Sequence, residues 1–191
     1  MRKAGLASLV FFYFDFRDNK KKDRRALLSS LIFQLHGQSD SYFKILSDFY
    51  SAHRRHSQLP SDDALTRCLK DMLNCPVQAP IYIIVDALDE CPDTYGRPSP
   101  RQKVLMLVEE LVDLHVPDLH ICVTSRLEID IKAIIRPLAT HSISLHDERG
   151  QMQDILEYVR FTVNSDLDMR RWSAEVKELV TDVLSQRADG M

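Results

Sequence analysis

The sequence predicts an α/β fold built on a parallel, helix-covered sheet. Short apolar runs recur at Ser8 to Phe16 (SLVFFYFDF), Ile81 to Val85 (IYIIV) and Leu119 to Thr124 (LHICVT). None shows the polar alternation of a half-solvated strand, so each reads as a strand covered on both faces. Between them lie longer segments whose apolar residues return at helical spacing, as the crossovers of a parallel sheet require.

Each element follows from local chemistry. The first strand runs into Arg17 to Arg25 (RDNKKKDRR), six basic residues and two acidic ones, which read as a solvated loop entering a helix. Leu27, Leu28, Leu31, Ile32 and Leu35 then mark the inner face of that helix. Tyr42, Ile45, Leu46, Phe49 and Tyr50 mark a second. Ser61 is placed to cap a third, with Leu65, Cys68, Leu69, Met72 and Leu73 facing inward. After the IYIIV strand, Cys91 to Pro100 is a loop by its Pro and Gly content. The next helix carries Val104, Leu105, Val108, Leu111 and Val112 inward. A short helix at Ile129 to Ile135 and a weaker strand at His141 to Leu145 follow the LHICVT strand. Two amphipathic helices close the chain, one on Ile155, Leu156, Val159 and Val163. The other uses Trp172, Val176, Leu179, Val180, Val183 and Leu184. This divides the chain into a core over 1–149 and the start of a helical region over 150–191, with the break near Gly150.

Composition excludes several classes. The 191 residues are 45% hydrophobic, too apolar for a disordered chain, and no apolar run reaches the roughly 18 residues of a membrane span. A net charge of −3 gives no reason to expect nucleic acid as the partner. Met1-Arg2-Lys3 before an apolar stretch superficially resembles a signal peptide, but the stretch runs into Asp15-Phe16-Arg17-Asp18 without a small-residue cleavage site. The chain therefore reads as cytoplasmic. Cys68, Cys75, Cys91 and Cys122 form no C-x-x-C pair and read mainly as buried, reduced thiols; His53 and His56 have no cysteine or carboxylate cluster beside them.

The chemistry lies at two strand ends. One delivers Asp86, Asp89 and Glu90, the other Arg126. Ligands of open parallel sheets gather beyond the carboxyl ends of the strands. An Asp after four apolar strand residues is a Walker B pattern, whose carboxylate helps hold the Mg²⁺ that bridges nucleotide phosphates. A second carboxylate a few residues on suits orienting or deprotonating water. An Arg on the neighbouring strand suits a γ-phosphate. The bland alternative has Asp86 to Glu90 capping the loop and Arg126 paired with an acid.

IYIIVDALDEC (81–91), LHICVTSR (119–126) and ADGM (188–191) resemble the NACHT branch of the STAND P-loop NTPases. The likeness is greatest to NACHT modules of basidiomycete fungal proteins with ankyrin or WD repeats. FFYFDFRDNKKKDRRALLSSLIFQL (11–35) and SLHDERGQMQDILEYV (144–159) are also similar to that family. The resemblance implies a three-layer P-loop NTPase-like sheet of order 5-1-4-3-2. It makes Asp86 the Mg²⁺ carboxylate, Asp89 and Glu90 the further catalytic acids, and Arg126 a nucleotide-contacting sensor. ATP or GTP with Mg²⁺ is the implied cofactor, and nucleotide-gated self-oligomerisation or protein partnering, often in innate immunity-like signalling, the implied role. Ala87 stands where many relatives have Gly, and Leu127 where Pro often follows the sensor Arg.

One part of the pattern is missing. The five glycines are widely separated, so no G-x-x-x-x-G-K-[ST] loop is present. The family's strand 1, which leads into that Walker A loop, is missing with it, and the chain reads as an internal fragment or a truncated gene model. Without the loop's amide cradle and Lys, tight nucleotide binding and catalysis by this chain alone are not expected. Strand 5 at 141–145 would lose its neighbour, leaving a groove beside the 119–124 strand or a direct re-pairing with it. The alternative in a different class is a non-catalytic interaction scaffold that keeps the NTPase fold.

Overall fold

The computed structural model describes residues 6–53, 59–76, 79–94, 96–144 and 149–187. The chain divides into two compact units, Met1–Ala139 and Thr140–Met191. The ADGM motif, His56 and Leu145 lie outside the described residues.

The first unit holds β1 (Ser8–Tyr13), α1 (Arg24–His36), α2 (Asp40–His53), α3 (Asp62–Leu73), β2 (Ile81–Asp86), α4 (Pro100–Val112), β3 (Leu119–Val123) and α5 (Ile129–Leu138). The strands form one parallel sheet in the order β1-β2-β3. This agrees with the 4-3-2 portion of the expected order. Asp23 caps α1 by accepting the Ala26 N–H at 2.8 Å, and Ser61 caps α3 as its position suggests. Ser99 and Gln102 close a reciprocal capping box on α4, with Pro100 in its first turn.

Alternate strand residues enter one core. Val10, Phe12 and Phe14 from the β1 side join Ile81, Ile83 and Val85 of β2. Against them pack Leu27, Leu28, Leu31 and Leu35 of α1, Leu69, Met72 and Leu73 of α3, and Leu105, Leu107 and Leu111 of α4. These inward residues of α1, α3 and α4 lie largely where their periodicity predicts. On α2 only Tyr42 is buried, and Tyr50 is exposed.

The expected three-layer architecture is corrected here. Among the described residues the sheet is covered on one face only. The other face carries Phe11, Tyr13 and Tyr82, which are 48%, 46% and 40% exposed, together with exposed His120 and Cys122. The Tyr82 and His120 rings stack there at 4.7 Å. Runs such as VFFYF are apolar at both alternating sets of positions, so they signal two covered faces, but helices meet only one set. Cys122 is exposed for the same reason, against the expectation of burial, whereas Cys68 and Cys91 are buried.

The expected strand at His141 to Leu145 is also corrected: His141 to Ser144 forms no strand, and Ile143 is 79% exposed. β3 pairs with β2 alone, so the predicted re-pairing does not occur among the described residues. A segment with no ladder partner leaves its backbone groups to water, and the exposed Ile143 gains nothing from burial.

β1's outer edge is closed in an unusual way. Leu9 and Phe11 point their backbone groups away from β2. The Gln38 amide accepts the Leu9 N–H at 3.1 Å and donates to the Leu9 carbonyl at 3.0 Å. Gln34 does the same for Phe11, at 3.1 and 2.6 Å. Each primary amide thus stands in for one peptide of a neighbouring strand.

The second unit contains α6 (Arg149–Ser165) and α7 (Ala174–Arg187), joined through a short 3₁₀ turn at Asp168–Arg171. Val163 is buried, as expected. The apolar stripe of α7 is not: Val176, Leu179, Val183 and Leu184 are exposed, while Thr181 is buried and its hydroxyl donates to the Lys177 carbonyl at 2.7 Å.

Candidate functional site

At the carboxyl edge of the sheet, β2 and β3 release polar residues side by side. Asp86 ends β2, and Thr124, Ser125 and Arg126 follow β3. The Thr124 N–H completes the ladder by donating to the Val85 carbonyl at 2.9 Å. Its hydroxyl then accepts the Ala87 N–H at 3.0 Å and donates to Asp86 Oδ1. Asp86 is exposed, and no bond engages its Oδ2 among the described residues.

Ala87 turns the chain with φ 53° and ψ 47°, a left-handed conformation that costs an L-residue with a Cβ roughly 1–2 kcal/mol. That geometry gives a physical meaning to glycine at this position. The chain next makes a 3₁₀ turn over Leu88–Glu90, with buried Leu88 as its apolar anchor. The Leu88 N–H donates to the Thr124 carbonyl at 3.0 Å.

The three acids diverge from this turn. Asp89 faces β3: its Oδ1 accepts the Arg126 backbone N–H at 3.0 Å, and its Oδ2 lies 3.5 Å from Arg126 Nε. The Asp89 side chain is only 11% exposed, whereas that of Arg126 is 82% exposed, so the guanidinium is paired on one side and open to solvent on the other. Glu90 faces the other way, and its Oε2 accepts the Phe16 N–H at 3.3 Å. It ties the end of β1 to the turn. Asp86 therefore stands alone as a candidate metal ligand, and no group of three metal-donor side chains occurs among the described residues.

Arg101, in the first turn of α4, holds the acidic turn from below. Its Nη2 donates to the Asp89 carbonyl at 2.7 Å and its Nε to the Cys91 carbonyl at 2.9 Å. Its Nη1 lies 3.4 Å from both oxygens of Asp130 in α5. Sequence reasoning missed Arg101, because an arginine on a helix carries no sign of what it reaches. Thr124 was nearer to hand, as the residue between an apolar strand and Ser-Arg.

Beyond β1, Arg17 pairs with Asp15, its Nε 3.1 Å from Oδ1. This hydrogen bond holds the Asp15 carboxyl below its ordinary range and raises the Arg17 guanidinium. Lys21 lies over the Tyr13 ring, 3.6 Å from its centroid. Two cations of the basic loop are thus engaged locally. Burial pushes the Cys91 thiol up to about 12 and the Cys68 thiol up to about 11, so neither is a nucleophile here.

Residues 1–126 match the family model described as Nephrocystin 3, N-terminal. The chain belongs to that family. The Nephrocystin 3 N-terminal match takes in all three strands and ends on Arg126, so every residue of the candidate edge except Asp130 lies within it. No curated protein and no solved structure matches the chain.

Proposed function

We propose that this chain is part of the nucleotide-binding core of a NACHT-type STAND P-loop NTPase, a regulatory switch in the intact protein and not a hydrolase by itself. The observation that carries the reading is the placement of Asp86 and Arg126 on adjacent parallel strand ends, with Asp89 between them. An acid beside an exposed arginine at that edge suits a Mg-nucleotide, the acid toward the metal and the arginine toward a terminal phosphate.

Asp86 fits Mg²⁺ in the manner usual for nucleotide sites, where one or two carboxylates share the ion with phosphates and water. Its Oδ1 is fixed by Thr124 and its Oδ2 faces outward. When bound, the metal would neutralise phosphate charge. Asp89 would position Arg126, and Glu90 would hold the β1 end in place. Among the described residues the outer edge of β3 is unpaired, which supports the same reading, since it lies where that family sets the strand leading into its phosphate loop. ATP and GTP are both compatible with these groups.

The uncovered aromatic face of the sheet favours a second reading, an interaction scaffold that keeps the fold without nucleotide. One experiment separates the two. Fluorescent ATP and GTP analogues are titrated, with and without Mg²⁺, against this chain and against the polypeptide read in frame through Met1 from any upstream G-x-x-x-x-G-K-[ST]. Mg-dependent binding to the longer polypeptide that weakens in Asp86→Asn supports the switch. No such upstream motif, or binding indifferent to Mg²⁺ and Asp86, overturns it in favour of the scaffold.

A further inference from the structure

The second unit carries a surface motif that the nucleotide reading leaves unused. Arg170-Arg171-Trp172-Ser173 sets two arginines three and two residues before a serine. The motif lies in the connection from α6 to α7. Asp168–Arg171 forms the 3₁₀ turn, Trp172 is extended at φ −74° and ψ 141°, and Ser173 directly precedes α7. Arg170, Arg171 and Ser173 are all exposed. Neither guanidinium has an acidic partner among the described residues. The nearby Asp166 is occupied instead, its Oδ1 accepting the Asp168 and Met169 N–H groups at 2.8 and 3.4 Å. The turn itself is weakly held. Its bonds are Arg170 N–H to the Leu167 carbonyl at 3.4 Å and Trp172 N–H to the Met169 carbonyl at 3.1 Å. The Ser173 Oγ accepts the Val176 N–H at 3.3 Å, a long cap, and its own proton is uncommitted among the described residues.

We infer that Ser173 is a phosphorylation site, taken by a basophilic protein kinase that reads the two arginines. Such a kinase binds its substrate extended and pairs each guanidinium with carboxylates of its own. Trp172 is already extended, so only the single 3₁₀ turn before it has to open, an event of small local cost. Ala174, just past the acceptor, presents no charge and little bulk to the kinase. In the transfer, Ser173 Oγ bonds to the γ-phosphorus of Mg-ATP while the bond from that phosphorus to the β,γ-bridging oxygen breaks. The electron pair of the broken bond leaves on ADP, and the hydroxyl proton passes to the catalytic aspartate of the kinase. The product adds about two negative charges to a surface that otherwise offers two unpaired cations. The inference does not rest on the nucleotide reading, which concerns the first unit.

The test must separate Ser173 from Ser57, which follows the same spacing in Arg54-Arg55-His56-Ser57, outside the described residues. The full 191-residue chain is incubated with Mg-ATP and a kinase selective for R-R-x-S, the catalytic subunit of cyclic-AMP-dependent protein kinase. Phosphate is then mapped by peptide mass spectrometry. Ser173 of the folded chain should be phosphorylated to near completion. Ser173→Asn keeps a capping side chain, so α7 should stay intact by circular dichroism while the label on that peptide disappears. Arg170→Ala with Arg171→Ala breaks no side-chain bond among the described residues. The pair should lower kcat/KM for Ser173 about tenfold or more, as expected for the loss of charged hydrogen bonds to the kinase. No phosphate at Ser173 of the folded chain overturns the proposal. So does phosphate confined to Ser57, or a rate at Ser173 unmoved by the arginine pair.

Discussion

The Thr124 hydroxyl bridges Asp86 and the first residue beyond it, donating to the Asp86 carboxylate while accepting the Ala87 N–H at 3.0 Å. One side chain from β3 thereby fixes both the orientation of the acid and the turn that follows. Thr124→Val keeps the shape and removes both bonds. The variant should lose about 1 kcal/mol in urea denaturation, whereas Thr124→Ser should stay close to the parent.

Ala87→Gly should raise stability by about 0.5–1 kcal/mol. Relief of the left-handed strain at φ 53° exceeds the extra freedom that glycine adds to the unfolded chain. The shift in denaturation midpoint, with an unchanged denaturant slope, is the measurement. A loss of stability would show that the alanine methyl makes a contact outweighing its backbone cost.

Arg101 has 13% of its side chain exposed and holds two carbonyls and a carboxylate. Arg101→Met should cost about 3 kcal/mol, since the Asp89 and Cys91 carbonyls and Asp130 all lose a charged donor. Arg101→Lys should recover little of this, because one ammonium cannot span three acceptors arranged for a planar fork. Equilibrium unfolding of the two variants checks the ranking.

The glutamine closure of β1 should be visible in amide exchange. In Gln34→Leu/Gln38→Leu the Leu9 and Phe11 amides lose their acceptors and should exchange markedly faster. Amides of β2, paired on both sides, should be slowed or hastened only with global stability.

Thiol ionisation sets an alkaline limit. Burial holds the Cys91 thiol neutral in the folded chain, its value pushed from 9.0 up to about 12. An acid whose folded value is raised favours the folded state below its unfolded value. That stability is therefore complete below pH 9.0 and is lost progressively as pH rises toward about 12. Cys91→Ser should flatten the alkaline decline. Below that range, a thiol reagent should label Cys122 in the folded protein and reach Cys68 and Cys91 only on unfolding.

The strands and most helix faces were legible because burial writes itself into periodicity: IYIIV has room for nothing but a strand, and Leu27, Leu28, Leu31 and Leu35 can share only one face. Ser61 announced its cap. Where the reading failed, the deciding partner was distant. Phe11 and Tyr13 are as apolar as Val10 and Phe12, and only the tertiary fold shows that no helix among the described residues packs over them. His141 to Ser144 has strand character but joins no ladder among the described residues. At the candidate edge, sequence spacing grouped Asp86, Asp89 and Glu90. The 3₁₀ turn sends them three separate ways, and the ion pair from Asp89 to Arg126 spans 37 positions that no spacing rule connects.

With Gln34 and Gln38 in place, this sheet can be lengthened from one side only. Assemblies made by a head-to-tail contact between two different edges repeat without end and give fibres, whereas a contact that uses the same edge on both members terminates itself. Two side-chain amides therefore limit how the sheet can be extended as well as stabilising it. They deny a growing polymer an attachment point along Leu9 and Phe11 of β1.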